Sequence, residues 1–207
     1  MMHSRIFRTS SVACRACYYI LISSLLTLTS CVSTTATEGT DALLKYATLL
    51  TLEQGDSCTI ATVRNPWKKE RDLARYVLVP SAQPLPHDLP QGTLLRTPLR
   101  CNVVTSSVHL ALLSDLQALD FVTGVTDRSY IVSKAIQDSL QSHPAIVELG
   151  QSMQPDVERM RQAGVNAIWV SPFENAGHGA LDNLGLPLIE CADYMETSPL
   201  GRSEWMR

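Results

Sequence analysis

The sequence lacks the short motifs by which many enzymes and nucleotide-binding proteins are recognised. Its 207 residues contain no GxGxxG after a strand, no Walker loop, no GxSxG nucleophile elbow and no HExxH pair. Cys58 and Cys101 belong to no CxxC pair and have no paired His, so we do not expect a zinc site built on them. The cysteines after residue 31 are odd in number, which fits no complete disulfide framework: Cys58, Cys101 and Cys191.

Acidic residues outnumber basic ones after the first thirty residues. Three of the 17 Lys and Arg residues, and none of the 20 Asp and Glu residues, lie in residues 1–30. The remaining chain therefore has 14 basic against 20 acidic residues, a net charge of −6. Because no basic patch remains after residue 30, we do not expect binding to nucleic acid.

The first thirty residues have the pattern of a secretory signal peptide. A basic segment with three arginines precedes an apolar stretch, Tyr18 to Leu28, which is too short to span a membrane. The following Leu-Thr-Ser-Cys resembles a bacterial lipobox, in which the cysteine, here Cys31, is lipidated and becomes the mature N-terminus. The pattern predicts a signal peptide at 1–30, a flexible tether at 31–43 and a globular region at 44–207. The alternative is an ordinary signal peptide followed by a coincidental cysteine.

Apolar runs after the tether predict an α/β fold in two parts. Three β-rich runs separated by turn residues predict an N-terminal antiparallel β meander: Tyr46–Leu52, Ser57–Val63 and Arg75–Val79. We expect residues 80–98, with five prolines, to be an irregular connection. Strand and helix patterns then alternate, which predicts a mainly parallel Rossmann-like sheet with flanking helices. Its predicted strands are Leu99–Val104, Phe121–Val125, Ala167–Val170 and Leu186–Ile189, and its predicted helices are Leu110–Leu119, Ile131–Leu140 and Asp156–Ala163.

Polar loops follow several of the predicted parallel strands. Because ligands of such folds bind outside the carboxyl ends of the strands, we expect these loops to share one rim that forms the working end of the protein. The segments 171–178 and 191–196 both belong to this rim. The candidate ligand-binding residues are Ser106, Ser107, Asp127, Arg128, Tyr130, Ser171, Phe173, Glu174 and His178.

Simpler interpretations compete at several of these positions. Either Ser106 or Ser107 is equally well explained as the N-cap of the helix that follows. Glu174 and His178 are four residues apart and can converge on a metal or form an acid–base pair, but a polar loop without a reactive role is the more common outcome. Trp169 lies inside an apolar run and is predicted to belong to the core.

Several of these motifs, taken in order, carry a family resemblance. They are the lipobox, the strand at Leu99–Val104 with its Ser-Ser turn and Leu-rich helix, FVTGVTD from Phe121, QPDVERM from Gln154, WVSPFE from Trp169 and LGLPLI from Leu184. Together they resemble the substrate-binding proteins of ABC importers for iron–siderophore complexes, haem and cobalamin. The closing segment from Tyr194 is similar to lipoprotein members from Bacteroidetes in particular.

The resemblance implies one lobe of a two-lobe periplasmic binding protein, with the ligand held between lobes that one long helix joins. Residues 44–207 match the amino-terminal lobe, and the sequence stops where the connecting helix is expected to begin. The family implies a lipid-anchored protein of the cell envelope, facing the periplasm or the outer surface, that passes its ligand to permease subunits. It implies no catalysis and no cofactor.

Two other functions are compatible with the residues. A surface lipoprotein that binds other molecules without a small ligand needs none of the rim chemistry. A lipoprotein hydrolase would use Ser171 or Ser107 with His178, but the sequence alone shows neither an orienting carboxylate nor an oxyanion hole.

Overall fold

The computed structural model describes residues 43–206. The predicted signal peptide at 1–30, the lipid attachment site Cys31 and the tether up to residue 42 lie outside the described residues. Within 43–206, no helix is both long and apolar enough to cross a membrane.

The N-terminal part is a four-stranded sheet in which the strands follow the order of the chain. It comprises β1 (Leu50–Gln54), β2 (Thr59–Arg64), β3 (Asp72–Pro80) and β4 (Thr93–Thr97). The first three strands pair antiparallel, which confirms the predicted meander. A hydrogen bond from the amide of Gly55 to the carbonyl of Cys58, 2.9 Å long, closes the turn between β1 and β2.

Strand β4 corrects the prediction that residues 80–98 form an irregular connection. It pairs parallel to β3 from Tyr76↔Thr93 to Pro80↔Thr97. The residues between β3 and β4 therefore form a short crossover connection between two parallel strands. The five prolines of this segment all lie outside the strand. Only one β4 side chain, Leu95, is fully buried, so the strand has almost no apolar periodicity by which to recognise it.

The second part is a five-stranded sheet whose neighbouring strands all pair parallel, which confirms the predicted mainly parallel sheet. Its strands are β5 (Asn102–Val104), β6 (Val122–Val125), β7 (Val147–Glu148), β10 (Ala167–Val170) and β11 (Leu188–Glu190). Between β7 and β10, β8 (Gly150–Gln151) and β9 (Gln154–Pro155) form a small antiparallel ribbon. The two-residue β7 was not predicted, because two residues are too few to show a strand pattern.

The strand order of the parallel sheet is β11-β10-β5-β6-β7. The chain builds outward from β5 to β7 and then returns to place β10 on the other side of β5. The connections after β5 and β10 therefore run in opposite directions. The β5–β10 boundary is thus a topological switch point, where a crevice opens at the carboxyl ends of the strands.

The helices begin at polar caps. They are α1 (Ser107–Asp115), α2 (Lys134–Ser142), α3 (Val157–Gln162) and α4 (Pro199–Ser203), with 3-10 turns at Leu119–Phe121, Arg128–Tyr130, Gly179–Asn183, Asp193–Met195 and Glu204–Met206. Ser106 caps α1 by accepting from the amide of Val108, and Asp156 caps α3 by accepting from Arg159. The prediction that α1 extends to Leu119 is wrong, since α1 ends at Asp115 and Leu119 belongs to the next 3-10 turn.

Apolar side chains form three buried clusters. One lies under α1 and α2 and includes Val104, Leu110 and Leu140. A second contains the α3 residue Met160 together with Val103 and Ile168. The third joins the N-terminal sheet to the segment after β11, where Ala192 is fully buried. The third cluster therefore packs the N-terminal sheet against the parallel sheet.

Two carboxylates hold the first described segment of the chain. Glu204 accepts hydrogen bonds from the amides of Lys45, Tyr46 and Ala47 at 2.7–2.8 Å. Glu196 accepts from the amides of Thr48 and Leu49 at 2.9–3.0 Å, from the Thr48 hydroxyl and from Trp205 Nε1. Burial alone would raise the pKa of Glu196, but these donors together lower it below its ordinary value.

We expect Glu196→Gln to destabilise the fold by about 2 kcal/mol at neutral pH. The side-chain amide offers one acceptor oxygen to donors that share two carboxylate oxygens in the wild type. Since the pKa of Glu196 is lowered in the folded state, its contribution to the stability of the wild type is complete above the ordinary pKa of 4.5. This contribution is lost as the pH falls through the pKa that Glu196 has in the folded state. The free energies of unfolding of the two proteins, measured with urea from pH 3 to pH 7, should therefore become equal at the acid end of this range. Glu53→Gln, at an exposed position of β1, is the matched control, and a pH-independent difference between Glu196→Gln and wild type would contradict this account.

Candidate functional site

A cavity of about 300 Å³ opens at the carboxyl ends of β5, β6 and β10. Its walls come from the segments that follow those three strands and from the β8–β9 ribbon. It therefore lies at the switch point of the parallel sheet, the place where open α/β sheets bind ligands. Tyr194 hydroxyl donates to the carbonyl of Pro172, so the segments 191–196 and 171–178 are joined at the rim as the sequence predicts.

Most of the candidate ligand-binding residues converge on this cavity. Six of the nine line it: Ser106, Ser107, Asp127, Ser171, Phe173 and His178. The other three, Arg128, Tyr130 and Glu174, do not line it; the first two form the 3-10 turn just after Asp127, and Glu174 follows Phe173 on the exposed loop. The structure thus brings together residues from loops up to 72 positions apart (106 to 178). Whether they bind a ligand remains a prediction.

Local backbone geometry fixes the polar wall of the cavity. Asp127 takes the left-handed conformation with φ 52°, one that aspartate tolerates better than most residues. Its amide donates to the carbonyl of Gly150, and its Oδ2 accepts from the amide of Ser152 at 3.0 Å. Asp127 therefore ties the loop after β6 to the β8–β9 ribbon while it lines the cavity.

His178 is the basic side chain of the cavity wall, and a carboxylate holds it in place. Its Nε2 lies 2.9 Å from Oε1 of Glu190, and the two side chains are only 12% and 16% exposed. The hydrogen bond to Glu190 raises the pKa of His178, although burial opposes the shift. The amide of His178 also donates to Oδ2 of Asp182 at 2.8 Å. Gly177 permits this arrangement, because a Cβ there would lie 2.5 Å from the same oxygen.

The partner of His178 was missed by the sequence analysis. Glu190 is the last residue of β11 and reaches His178 only because β11 pairs with β10, an arrangement that no local pattern shows. The amide of Glu190 donates to the Tyr76 hydroxyl at 2.8 Å, and that hydroxyl donates to the carbonyl of Leu188. Burial first and foremost raises the pKa of Tyr76, so the hydroxyl stays protonated and able to donate.

Eight further residues line the cavity without having been named as candidates, and Thr126, Ser152 and Met153 are among them. Thr126 adjoins the predicted Asp127, whereas Ser152 and Met153 lie in the β8–β9 turn, for which the sequence showed no strand pattern. Met153 and Phe173 are well exposed, at 65% and 59%. The cavity therefore combines polar groups with apolar side chains, two of which are well exposed.

A second cavity, of about 380 Å³ and mainly apolar, lies between the two sheets. Trp169 and Trp205 both line it. The prediction that Trp169 belongs to the core is only partly right, because its strand neighbours Ile168 and Val170 are buried whereas Trp169 is half-buried at this cavity. Its Nε1 donates to Oδ1 of Asn102 over a long 3.4 Å.

A buried hydrogen bond joins a histidine and an aspartate that both line the second cavity. Nε2 of His109, on α1, lies 2.9 Å from Oδ1 of Asp193, and the side chains are 4% and 3% exposed. The remaining polar atoms of this pair, Nδ1 of His109 and Oδ2 of Asp193, have no hydrogen-bond partner. The sequence does not show that these two residues meet, because they are 84 positions apart.

The described residues contain no group of three or more His, Cys, Asp or Glu side chains that could hold a metal ion. Three acidic residues near the end of the chain, whose spacing resembles no metal loop, form hydrogen bonds to three different partners. Glu190 contacts His178, Asp193 contacts His109, and Glu196 accepts from the amides of residues 48 and 49. The arrangement around the first cavity suits a bound molecule that is held by a few polar groups and apolar contacts.

The class defined by this geometry is an α/β domain with a cavity of mixed polar and apolar lining at the switch point of a parallel sheet. No family model matches the chain. An uncharacterized lipoprotein of Methanocaldococcus jannaschii is 28% identical over 122 residues, which are 55% of this chain. The match spans 29% of that relative, so this chain corresponds to less than a third of its length.

Proposed function

We propose that the protein is the lipid-anchored solute-binding component of an ABC importer, which captures a chelated metal, such as an iron–siderophore complex or haem, or a cobalamin. The observation that carries the proposal is the cavity at the switch point, where six of the nine candidate residues meet. The similarity to an archaeal lipoprotein supports the anchor. In this role the protein delivers its ligand to permease subunits and catalyses no reaction.

The walls of the cavity suit a ligand that has both polar and apolar groups. Hydroxyl groups from three different segments, Ser106, Ser152 and Ser171, can hydrogen-bond to the polar groups of such a ligand. Phe173 and Met153 offer apolar contacts at the mouth, where they are now exposed to water. Burying this apolar surface against a ligand contributes favourably at roughly 25 cal/mol per Å².

A thermal-shift panel tests the proposal. The full chain is melted with ferric siderophores of several types, haemin and cobalamin, each over a concentration series. A ligand that binds only the folded state raises the free energy of unfolding, by about 2.7 kcal/mol at 100 times its Kd. The melting temperature therefore rises with the logarithm of the ligand concentration once that concentration exceeds Kd. Saturable stabilisation by one class supports the proposal. No stabilisation by any class up to millimolar concentrations contradicts it and favours the interaction module without a small ligand.

The lipid anchor has its own test, because Cys31 lies outside the described residues. We expect Cys31→Ser to accumulate as an unprocessed precursor and to lose incorporation of labelled palmitate, since lipidation requires the thiol. Several acyl chains hold a protein firmly on a membrane, whereas one chain binds only weakly. Cys58→Ser is the matched control and should be processed normally. A Cys31→Ser protein that is still matured and labelled would show that the lipobox prediction is wrong.

A hydrolase is the second candidate, and one observation favours it. Glu190 supplies the carboxylate that orients His178, which the sequence alone did not show, and Ser171 lines the same cavity. Against it, no serine hydroxyl in residues 43–206 is hydrogen-bonded to the His178 ring, as a nucleophile and its base would be. Labelling of Ser171 by a fluorophosphonate probe, abolished in Ser171→Ala, would establish this alternative.

A further inference from the structure

The second cavity, between the two sheets, is large enough to hold a ligand of its own. Its volume of about 380 Å³ lies within the roughly 300–1,000 Å³ that ligand pockets occupy. It shares no lining residue with the cavity at the switch point. Its aromatic side chains include Tyr76 from β3, Trp169 from β10 and Trp205 from the last 3-10 turn. The apolar part of a ligand would therefore meet aromatic side chains from both sheets.

Two carboxylates interrupt this mainly apolar lining, and each has an unused acceptor. Glu190 contacts His178 through Oε1 at 2.9 Å. Asp193 contacts His109 through Oδ1, also at 2.9 Å. The second oxygen of each carboxylate is buried and has no hydrogen-bond partner within residues 43–206. Because buried polar groups are nearly always hydrogen-bonded, these two oxygens indicate a donor that the described part of the chain does not supply.

The charges of the lining favour a cation over an anion. Among the described residues that line the second cavity, only His109 can carry a positive charge, against the two carboxylates. Arg100 lies outside the lining, with its guanidinium 5.3 Å from the centre of the Phe121 ring. Burial raises the pKa of both Cys191 and Tyr76, so these two groups stay neutral. The faces of the aromatic rings also attract cations.

A protonated amine on an apolar body meets these requirements together. An ammonium group carries a positive charge and three donor hydrogens, so it can pair with more than one acceptor. A hydroxyl group has a single donor and no charge, and its hydrogen bond to a carboxylate is weaker than that of an ammonium. A bare metal ion does not fit, because the described residues contain no group of three or more metal-binding side chains.

We propose that the second cavity binds an apolar primary amine, whose ammonium group donates hydrogen bonds to the carboxylates of Glu190 and Asp193. The hydrocarbon part of the amine packs against Trp169 and Trp205. This site is additional to the cavity of the proposed function and does not depend on that function.

Three probes of equal chain length test the proposal on the full chain: octylamine, 1-octanol and octanoate. At neutral pH the first is a cation, the second is uncharged and the third is an anion. We expect calorimetry to show saturable binding of octylamine, at least about tenfold tighter than that of octanol, because its hydrogen bonds join two charged groups. Octanoate should not bind.

Tryptophan fluorescence locates the bound amine. The chain has three tryptophans, and Trp67→Phe leaves Trp169 and Trp205, which both line the second cavity. The fluorescence of this variant should change over the same octylamine concentrations at which calorimetry shows binding. Binding without any change of fluorescence would place the amine elsewhere and overturn the proposal.

Variants of nearly unchanged shape test the two carboxylates. Glu190→Gln and Asp193→Asn each remove one charge, and each should lose at least about tenfold in affinity for octylamine while binding octanol as the wild type does. Asp115→Asn, at an exposed position of α1, is the control and should bind octylamine normally. If Asp193→Asn does not fold, Glu190→Gln decides the question.

Several results would overturn the proposal. They are equal affinities for octylamine and octanol, unchanged octylamine binding in Glu190→Gln, and no octylamine binding up to millimolar concentrations. Binding of octanoate as tight as that of octylamine would show that the carboxylates do not select the charge of the ligand. None of these results changes the outcome of the thermal-shift panel, which concerns the cavity at the switch point.

Discussion

Asp193→Ala should destabilise the protein by about 3–5 kcal/mol, because it leaves His109 buried without its partner. The His109–Asp193 pair joins α1 to the 3-10 turn after β11 with both side chains almost fully buried. At roughly 2–4 °C per kcal/mol for a domain of this size, the melting temperature should fall by about 10 °C. Calorimetry or urea unfolding of the full chain measures the loss.

Matched variants separate the pair from its surroundings. Asp115→Ala removes an exposed carboxylate at the end of the same helix and should change stability by less than about 0.5 kcal/mol. The double variant His109→Leu/Asp193→Leu replaces both polar groups by apolar ones and should recover much of the loss, as it does for other buried pairs. If Asp193→Ala lowers the free energy of unfolding no more than Asp115→Ala does, the His109–Asp193 pair does not stabilise the protein as its burial indicates.

Ser171→Trp should abolish ligand binding while leaving the fold intact. Ser171 follows β10 and lines the cavity at the switch point, so a large side chain there fills space that a ligand would occupy. We expect at least a hundredfold loss of affinity, about 2.7 kcal/mol, for whichever panel ligand stabilises the wild type. The melting temperature without ligand should change little, because Ser171 is at the surface end of its strand.

Ser129→Trp is the matched control for this experiment. Ser129 is exposed in the turn after Asp127 and does not line the cavity, so the same bulky side chain there should leave binding unchanged. Equal losses for the two variants would indicate a general effect of added tryptophan. Normal binding by Ser171→Trp would place the ligand elsewhere, with the apolar cavity between the sheets as the first alternative.

The sequence predicted the parts of the fold that depend on local patterns. Strand β10 was predicted with its observed bounds, and α3 begins after the predicted Asp156 and ends before Gly164, whose φ is 66°. The convergence of Ser106, Asp127 and Ser171 was also predictable, because residues after parallel strands meet at one edge of a sheet. These features need only periodicity, caps and one rule of topology.

What the sequence did not predict depends on contacts between distant residues. Strand β4 has only one buried side chain, and its place beside β3 is set by pairing rather than by its own pattern. The partners of His178 and His109 lie 12 and 84 positions away, across a sheet or between elements. Even the switch point requires the order of the strands, which no single segment contains.

Hydrogen exchange with and without the most stabilising panel ligand tests the central claim most directly. Ligand at the switch point should slow exchange in four separate segments at once, 105–107, 126–127, 152–153 and 171–178, with little change in the N-terminal sheet. Slower exchange in β1–β4 and around Trp169 and Trp205, with the four rim segments unaffected, would contradict it.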